Sequence, residues 1–250
     1  KACVGLAKLV TVNHSHNPKH SLKADVAIVL SKRKKKQMLE LGYPKQNIRY
    51  IPNRHNLREI PEFKEKTMGP LLNLGFYGRF TEQKAPEVLL EIAKILKERN
   101  IEFKFYIGGQ GELEVLLKKK IQDYKLANYV EMVGWVRSHR EFYNRVDLFI
   151  MPSRWEQNPL ALTEAFAFST PVITTQSEGI EDMVKDGSTG FLCKIDDAAG
   201  MVDKILELKG NSDLYHKIAS NAYKQVEKKY TAEVFNKSLH EAIESVYQEK

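Results

Sequence analysis

The sequence predicts an α/β fold with two Rossmann-like domains built on parallel sheets, the first of them incomplete. Short apolar, β-branched segments alternate with helical stretches at the spacing of strand–helix–strand units. Before residue 60 this alternation supplies only three strands, which are too few for a full sheet. We therefore predict a partial first domain at residues 1–60, a linker at 61–70, a second domain at 71–229 and a final helix at 230–250.

In the first domain, apolar runs predict strands at residues 9–13, 26–30 and 48–51. Helices are predicted at 20–23 and 32–41, and Gly42 closes the second of them. The linker is polar, contains Pro61 and Pro70, and shows no apolar periodicity.

In the second domain, the alternation is regular and indicates a parallel sheet with helices on both faces. Strands are predicted at 72–77, 103–107, 130–133, 147–151, 172–175 and 191–194. Helices are predicted at 86–99, 112–124, 139–144, 160–168, 180–184, 198–208, 212–229 and 232–248. Ligands of such sheets bind at the carboxyl ends of the strands, so the loops that follow strands are the candidate functional segments.

The composition is that of a soluble globular protein, with 42% hydrophobic and 28% charged residues among 250. No apolar run reaches the length of a membrane span, and no signal-peptide pattern opens the chain. Cys3 and Cys193 are too few for a disulfide framework and lack metal-ligand spacing. We therefore expect free thiols in a reducing compartment, by default the cytoplasm.

The positive charge is concentrated in the first part of the chain. Residues 1–70 hold 15 lysines and arginines against 5 acidic residues, and the remainder holds 24 against 27. The centre of this charge is Lys32-Arg33-Lys34-Lys35-Lys36. The run is either a solvated helix face or a contact with an anionic surface, such as inner-leaflet lipid or a phosphorylated acceptor. Nucleic acid is disfavoured because no aromatic residues interleave with the basic ones.

The first candidate loop follows the strand at 72–77. Gly78 permits a tight exit from the strand, and Arg79 and Lys84 place two cations just before a helix. This arrangement suits a diphosphate, because Arg binds it in bidentate fashion and Lys adds a point charge. The alternative is a surface loop with ordinary basic residues.

The second candidate loop is Gly108-Gly109-Gln110-Gly111, after the strand at 103–107. It is similar to a nucleotide-binding glycine turn but lacks the features of a P-loop and of a full dinucleotide fingerprint. A tight turn between strand and helix explains these glycines. They are also compatible with close approach of the backbone to a ligand, for example at Gly109.

The third candidate loop carries Glu156, and Glu164 lies in the second turn of the helix that follows. Asn158 is the predicted N-cap of this helix and Pro159 its first residue. Both carboxylates can face one ligand in front of the helix N-terminus, where anions bind well.

The first domain contributes a polar cluster of His14 and His16 beside Asn13 and Asn17, just after a strand end. We expect this cluster to lie across a cleft from the three loops, and the two histidines are either structural or functional. The sequence contains no metal-binding motif and no Gly-x-Ser-x-Gly elbow, which disfavours metal-dependent hydrolysis and serine-nucleophile chemistry.

Together these motifs resemble the family 4 retaining glycosyltransferases of GT-B fold. The similarity covers residues 71–229 closely and extends to Ala24-Asp25, Ser31 and Ile51-Pro52-Asn53 in the first domain. The motifs occur in the order Gly78-Arg79-Phe80 with Lys84, Gly109-Gln110-Gly111-Glu112, Val133-Gly134-Trp135, Pro152-Ser153, Glu156-x7-Glu164-Ala165, Pro171-Val172, Glu181 and Asp186-Gly187-x-x-Gly190.

The resemblance implies a donor site for a nucleotide diphosphate sugar in the second domain. Arg79 and Lys84 would grip the diphosphate, Glu164 would accept hydrogen bonds from the ribose, and Glu156 would face the transferred sugar. Further implied donor contacts are the loop glycines Gly78 and Gly109, a wall beside the base at Gly134, Trp135 and Val136, and backbone amides at Asn158, Pro159 and Leu160.

On the acceptor side, the resemblance implies that His14 lies near the reacting centre and that the last helix crosses back to the first domain. It implies no cofactor and no metal, because the cations at the diphosphate favour departure of the nucleotide. This sequence departs from the family at Ala85, where glycine is usual, and at Gln157-Asn158-Pro159. The second departure leaves the donor sugar open.

The expected function is therefore retaining transfer of a sugar onto a glycan or lipid-linked acceptor, in bacterial surface polysaccharide or lipopolysaccharide synthesis. The expected location is the cytoplasm, peripheral on the inner membrane face through the basic run. The alternatives are a GT-B-fold nucleotide-sugar epimerase and a non-catalytic nucleotide-sugar binding module.

Overall fold

The computed structural model describes residues 8–14, 17–55, 57 and 60–248. The first domain has a parallel sheet in the order β1-β2-β3, formed by β1 (Val10–Asn13), β2 (Val26–Val29) and β3 (Ile48–Tyr50). Helix α1 (Lys32–Glu40) follows β2, and the side chain of Ser31 caps it by accepting from the Lys34 N–H at 3.2 Å.

The second domain has a six-stranded parallel sheet in the order β6-β5-β4-β7-β8-β9. Every residue of β7 and β8 is buried, which is expected when helices cover both faces of a parallel sheet. The strands are β4 (Leu72–Tyr77), β5 (Phe103–Gly108), β6 (Val130–Gly134), β7 (Leu148–Met151), β8 (Val172–Thr175) and β9 (Phe191–Cys193).

Two hydrophobic cores lie on opposite faces of this sheet. The helices that follow α1 are α2 (Pro86–Glu98), α3 (Glu114–Asp123), α4 (His139–Arg145), α5 (Leu160–Ala167), α6 (Ala198–Lys209), α7 (Ser212–Lys229) and α8 (Ala232–Gln248). Phe76 and Phe105 belong to the core under α2, α3 and α6, and Phe149 and Phe166 belong to the core under α4 and α5. Helix α7 contributes to both cores.

Helix α8 lies against the first sheet. Its Ala242 is buried with Ile28 and Ile51, and Phe235 and Leu239 pack beside them. The final helix of the chain therefore returns to the first domain after the second domain is complete. In the described residues, no helix is both long enough and apolar enough to cross a membrane.

Residues 61–70 contain no helix or strand, yet side chains of the second domain hold them. Lys66 Nζ donates to the Tyr143 carbonyl oxygen and to Thr170 Oγ1, both at 2.7 Å, and Tyr223 OH donates to the Pro61 carbonyl oxygen at 2.9 Å. Burial lowers the pKa of Lys66 to about 8, while the Asp147 carboxylate opposes this shift.

The predicted helix at 180–184 is wrong, because this segment forms consecutive turns. The N–H groups of Met183 and Val184 both bond to the Ile180 carbonyl oxygen at 2.8 Å. Gly179, just before it, has a φ of +82° and brings the backbone against Gln157. A segment bounded in this way is too short to build an α-helical hydrogen-bond ladder. The helix predicted at 20–23 is a 3₁₀ turn at Pro18–Ser21.

Candidate functional site

The sheet of the second domain has a topological switch point between β4 and β7. From β4 the chain first adds β5 and β6 on one side, and then returns to add β7, β8 and β9 on the other. Ligands of open parallel sheets bind in the crevice at such a point, outside the carboxyl ends of the strands. The loops that border this crevice are 78–85, after β4, and 152–159, after β7. These are the first and third candidate loops.

The two loops are hydrogen-bonded to each other. Arg154 N–H donates to the Gln83 carbonyl oxygen at 2.8 Å, and Gln83 Nε2 donates to the Trp155 carbonyl oxygen at 3.0 Å. The Arg154 guanidinium pairs with Glu87 at 2.8 Å and Asp196 at 2.9 Å. The hydrogen bond to Asp196, followed by that to Glu87, raises the pKa of Arg154. Arg154 therefore connects the loop after β7 to the loop after β4, to Glu87 of α2 and to Asp196.

This arrangement brings together Lys84 and Glu156, two of the predicted catalytic residues. Lys84 Nζ and Glu156 Oε1 form an ion pair, with side chains only 17% and 6% exposed. Arg79 lies exposed at the same crevice, and its Nη2 is 3.4 Å from Gln83 Oε1. The crevice thus holds one partly buried ammonium group, one exposed guanidinium group and a buried carboxylate. Lys84 keeps further N–H groups for another anion.

Glu164 is buried on α5, at 3% exposure. Its Oε2 accepts a hydrogen bond from Tyr77 OH, and its Oε1 is 3.6 Å from His139 Nδ1. The Tyr77 ring stacks on His139 with centroids 5.3 Å apart, and Tyr143 OH is 3.1 Å from Tyr77 OH. Burial, together with Tyr143 and Glu164, raises the pKa of Tyr77 well above its usual value. The un-ionised hydroxyl group of Tyr77 therefore holds the Glu164 carboxylate in one orientation.

The candidate residues predicted from the sequence did not include Tyr77 and His139. Tyr77 is the last residue of β4, directly before Gly78, and this position at the end of a predicted strand was its signal in the sequence. His139 is the first residue of α4 and gave no signal, because its contact with Glu164 depends on how α4 and α5 pack.

The prediction that Asn158 caps α5 is wrong. Pro159 is the N-cap residue, with a φ of −71°, and it provides no side-chain hydrogen bond. The Asn158 side-chain oxygen instead accepts from the Asn53 N–H at 2.9 Å, because the first domain comes within reach of it. In the described part of the chain, no side chain therefore caps the first N–H groups of α5, which begins with the half-exposed Leu160. An uncapped helix N-terminus is a suitable place for an anion.

The glycine turn at 108–111 packs against protein backbone. Gly109 has a φ of +132°, and a Cβ there would lie 1.8 Å from the Gly78 carbonyl oxygen. Gly78 N–H donates to the Gly108 carbonyl oxygen at 3.1 Å, and Gly109 N–H donates to the Gly134 carbonyl oxygen at 2.7 Å. The close approach of the loops after β4, β5 and β6 therefore explains why glycine is needed at 109.

A cavity of about 550 Å³ lies beside the loop that follows β6. Trp135 is 69% exposed at its edge, and the Arg145 guanidinium lies over the Tyr106 ring at 4.2 Å from its centroid. The residues that line the cavity include Tyr106, Val133, Trp135, Val136, Glu141 and Arg145. The loop leads directly into His139, so the cavity and the Glu164 carboxylate flank the same short segment.

His14 lies across the crevice from the second domain. Its carbonyl oxygen accepts a hydrogen bond from Gln157 Nε2 at 3.0 Å, and the residue itself is exposed. His16, the other histidine of the predicted cluster, lies outside the described residues. The structure therefore brings the first domain, at residue 14, into direct contact with the loop after β7.

Part of the basic run also contacts the second domain. Lys32 N–H donates to Asp182 Oδ2 at 2.7 Å, Lys32 Nζ is 3.6 Å from the same carboxylate, and Arg33 is 3.5 Å from Glu178. Lys34 is buried, and burial lowers its pKa. Lys36 faces solvent and is 78% exposed. The run is thus divided between a contact with the second domain and an open surface.

Among the described residues, no group of three or more His, Cys, Asp or Glu side chains is placed to hold a metal ion.

The second domain matches a known protein family in sequence. The model of the family described as Glycosyl transferases group 1 matches residues 58–225. The amylovoran biosynthesis glycosyltransferase AmsK of Erwinia amylovora is 28% identical over an alignment of 222 positions, which covers 83% of this chain and 53% of AmsK. The chain thus spans about half the length of the curated relatives it matches.

Solved structures show the same fold. A TarM mutant from S. aureus, crystallised with fondaparinux, alpha-GlcNAc-glycerol and UDP, superposes with a TM-score of 0.81 at 24% identity over 94% of this chain and 50% of TarM. Anabaena HepE in complex with UDP-glucose also gives 0.81, at 18% identity over 95% of this chain and 72% of HepE. The predicted GT-B-type fold is therefore confirmed, and the chain belongs to the glycosyl transferases group 1 family.

Proposed function

We propose that this protein transfers a sugar from a nucleoside diphosphate sugar to a glycan or lipid-linked acceptor. The observation that carries the proposal is the ion pair between Lys84 and Glu156 in the crevice at the switch point. An ammonium group next to an exposed guanidinium group and an uncapped helix N-terminus suits a diphosphate. The three named relatives are glycosyltransferases or carry UDP or a UDP-sugar, which supports sugar transfer over the epimerase and binding-module alternatives.

The donor would lie along the crevice with its diphosphate at the loop after β4 and its base at the loop after β6. Arg79 and Lys84 would hold the diphosphate, the ribose hydroxyls would donate to Glu164, and the base would enter the cavity beside Gly134, Trp135 and Val136. Since TarM was crystallised with UDP and HepE with UDP-glucose, we take the nucleotide to be uridine diphosphate. The transferred sugar would then face Glu156 in front of α5, and the acceptor would approach from the side of His14.

The proposed chemistry depends on stabilising the leaving group. Negative charge develops on the diphosphate as its bond to the sugar breaks, and the Lys84 and Arg79 cations lie where they would stabilise that charge without a metal. We propose that an acceptor hydroxyl attacks from the face that the diphosphate leaves and gives its proton to the departing diphosphate oxygen, so that the configuration is retained. Glu156 would orient Lys84 through the ion pair and would face the sugar.

We further propose that the protein contacts an anionic membrane at the inner face of the bacterial envelope, during surface polysaccharide synthesis. Lys36 and the partly exposed Lys35 lie on α1 near Leu39 and Leu41, which are 38% and 44% exposed. Cations beside exposed apolar side chains suit the surface of an anionic bilayer. The name of AmsK, an amylovoran biosynthesis enzyme, supports the choice of pathway class.

The test is a donor and acceptor screen with the purified protein. We expect UDP release from one UDP-sugar to depend on an added glycan or lipid-linked acceptor, to persist in EDTA, and to give a product whose anomeric configuration by NMR matches that of the donor. A protein that binds UDP-sugars but releases UDP at the same rate with and without every acceptor tested would contradict the proposed transfer. An inverted product would contradict retention alone.

A further inference from the structure

Arg154 holds the chain on both sides of Lys84. Its Nη1 donates to the Glu82 carbonyl oxygen at 3.1 Å, and its Nη2 donates to Glu87 Oε1 at 2.8 Å. Glu82 comes two residues before Lys84, and Glu87 comes three residues after it. Arg154 itself comes two residues before Glu156, the partner of Lys84. One guanidinium group therefore connects the segments that carry the two members of the ion pair.

The turn that carries Lys84 has a strained backbone. Ala85 follows Lys84 with a φ of +47°, in the left-handed region that is unfavourable for a residue with a Cβ. It is also the N-cap residue of α2, and it provides no side-chain hydrogen bond there. Such a conformation persists only where the surrounding contacts determine it. The two hydrogen bonds of Arg154, one on each side of the turn, are contacts of this kind.

The guanidinium group of Arg154 is already paired with acceptors of the protein. Its Nε donates to Asp196 Oδ1 at 3.0 Å, so each of its three nitrogens has a protein acceptor. Two carboxylates, those of Asp196 and Glu87, pair with this one guanidinium group and would repel a further anion. We therefore expect any effect of Arg154 on a bound diphosphate to act through other residues, of which Lys84 is the cation next to the turn.

We propose that Arg154 is a positioning residue, which fixes the Lys84 ammonium group against Glu156 and thereby prepares it for the diphosphate. The planar fork of arginine reaches several acceptors at once, whereas the ammonium group of lysine is a single point charge on a flexible chain. The shape of the side chain at 154 should consequently matter more than its charge. The inference rests on the proposed function, because it requires a nucleoside diphosphate in the crevice.

The experiment measures UDP and uridine affinity by calorimetry for R154M, R154K and K84A, and for R154M combined with K84A. R154M keeps an aliphatic side chain and removes the guanidinium group. It should weaken UDP binding by about 5- to 20-fold and uridine binding by less than about twofold, because uridine lacks the diphosphate. R154K, which keeps the charge, should show a loss of similar size. In K84A, adding R154M should weaken UDP binding by less than about twofold, because the group through which Arg154 acts is already absent.

The control is R99M, at an exposed arginine that pairs with Asp203 at 3.0 Å. It should leave both affinities unchanged. Urea titration verifies that each variant is folded. If R154M does not fold, R154K and its combination with K84A take its place.

Three results would overturn the inference. The first is UDP affinity in R154M and R154K equal to that of the wild type, which would leave the proposed function intact. The second is a loss of uridine affinity as large as the loss of UDP affinity. The third is a loss from R154M that is the same in K84A as in the wild-type background. Absence of UDP binding by the wild type would instead overturn the proposed function, and the inference with it.

Discussion

Asn53 and Asn158 bind each other through two hydrogen bonds that join the first domain to the start of α5. The Asn53 N–H donates to the Asn158 side-chain oxygen at 2.9 Å, and Asn53 Nδ2 donates to the Asn158 carbonyl oxygen at 3.0 Å. Because Asn158 precedes α5 directly, this pair fixes the helix N-terminus relative to the first domain. The site in the second domain is therefore positioned partly by residues of the first.

Replacing Asn53 with alanine should destabilise the protein by about 0.5–1.5 kcal/mol, because it removes the side-chain hydrogen bond to the carbonyl oxygen of the buried Asn158. The free energy of unfolding from urea titration measures this effect. N128A, at an exposed asparagine, is the matched control and should change it by less than about 0.5 kcal/mol. Equal stability of N53A and N128A would show that the contact between the two asparagines contributes nothing.

Replacing Lys84 with alanine should weaken UDP binding by about 10- to 100-fold, because charge-assisted hydrogen bonds to the diphosphate are lost. Uridine, which lacks the diphosphate, should bind K84A as it binds the wild type. Calorimetry with both ligands measures the difference, and K104A, at a lysine whose Nζ donates to the Asn128 carbonyl oxygen, serves as control. Equal losses for UDP and uridine would remove the diphosphate assignment.

Replacing Tyr77 with phenylalanine removes the hydroxyl group that donates to Glu164 and leaves the ring in place. We expect UDP affinity to fall by about 2- to 10-fold, because the carboxylate that would accept from the ribose is no longer held in one orientation. Pyrophosphate affinity should not change. Y247F, at a tyrosine that is 70% exposed, is the control. A parallel loss of pyrophosphate affinity would indicate a general disturbance of the crevice.

Lys66 should make the stability of the protein depend on pH above about 8. Its pKa in the folded state is about 8, below the ordinary lysine value of 10.5, so the unfolded chain binds more protons between these two pH values. The contribution of Lys66 to the free energy of unfolding therefore rises with pH in this range, by at most about 3 kcal/mol, and is constant below it. The difference in unfolding free energy between wild type and K66M, measured from pH 7 to 10.5, should grow in favour of the wild type. A constant difference would contradict this.

Membrane contact through α1 should depend on the charges that face solvent. In sedimentation with vesicles that contain anionic lipid, the wild type should bind, and the double variant K35E/K36E should bind at least several-fold less, because each cation near the surface contributes about 1 kcal/mol. K228E/K229E, at exposed lysines near the end of α7, is the control. Binding that does not change with lipid charge or with the α1 substitutions would contradict the membrane proposal.

The order and type of most elements could be predicted from the sequence, because apolar periodicity and helix caps are local. The all-apolar β7 and the helix cap at Asp197, whose Oδ1 accepts from the Gly200 N–H at 2.8 Å, were both recognisable from a few neighbouring residues. The helix predicted at 180–184 was wrong because a segment of five residues does not show where its backbone hydrogen bonds go.

The sequence by itself determined the alternation of strands and helices, the three loops at one rim, and the candidate residues Arg79, Lys84, Glu156 and Glu164. The tertiary structure decided which of these residues touch. Lys84 and Glu156 are 72 positions apart, Tyr77 and Glu164 are 87 apart, and Gln157 and His14 are 143 apart. Such contacts depend on strand order and on the docking of the two domains, which no local pattern encodes. For that reason Asn158, which its local sequence predicts to be a helix cap, instead forms hydrogen bonds with Asn53 of the first domain.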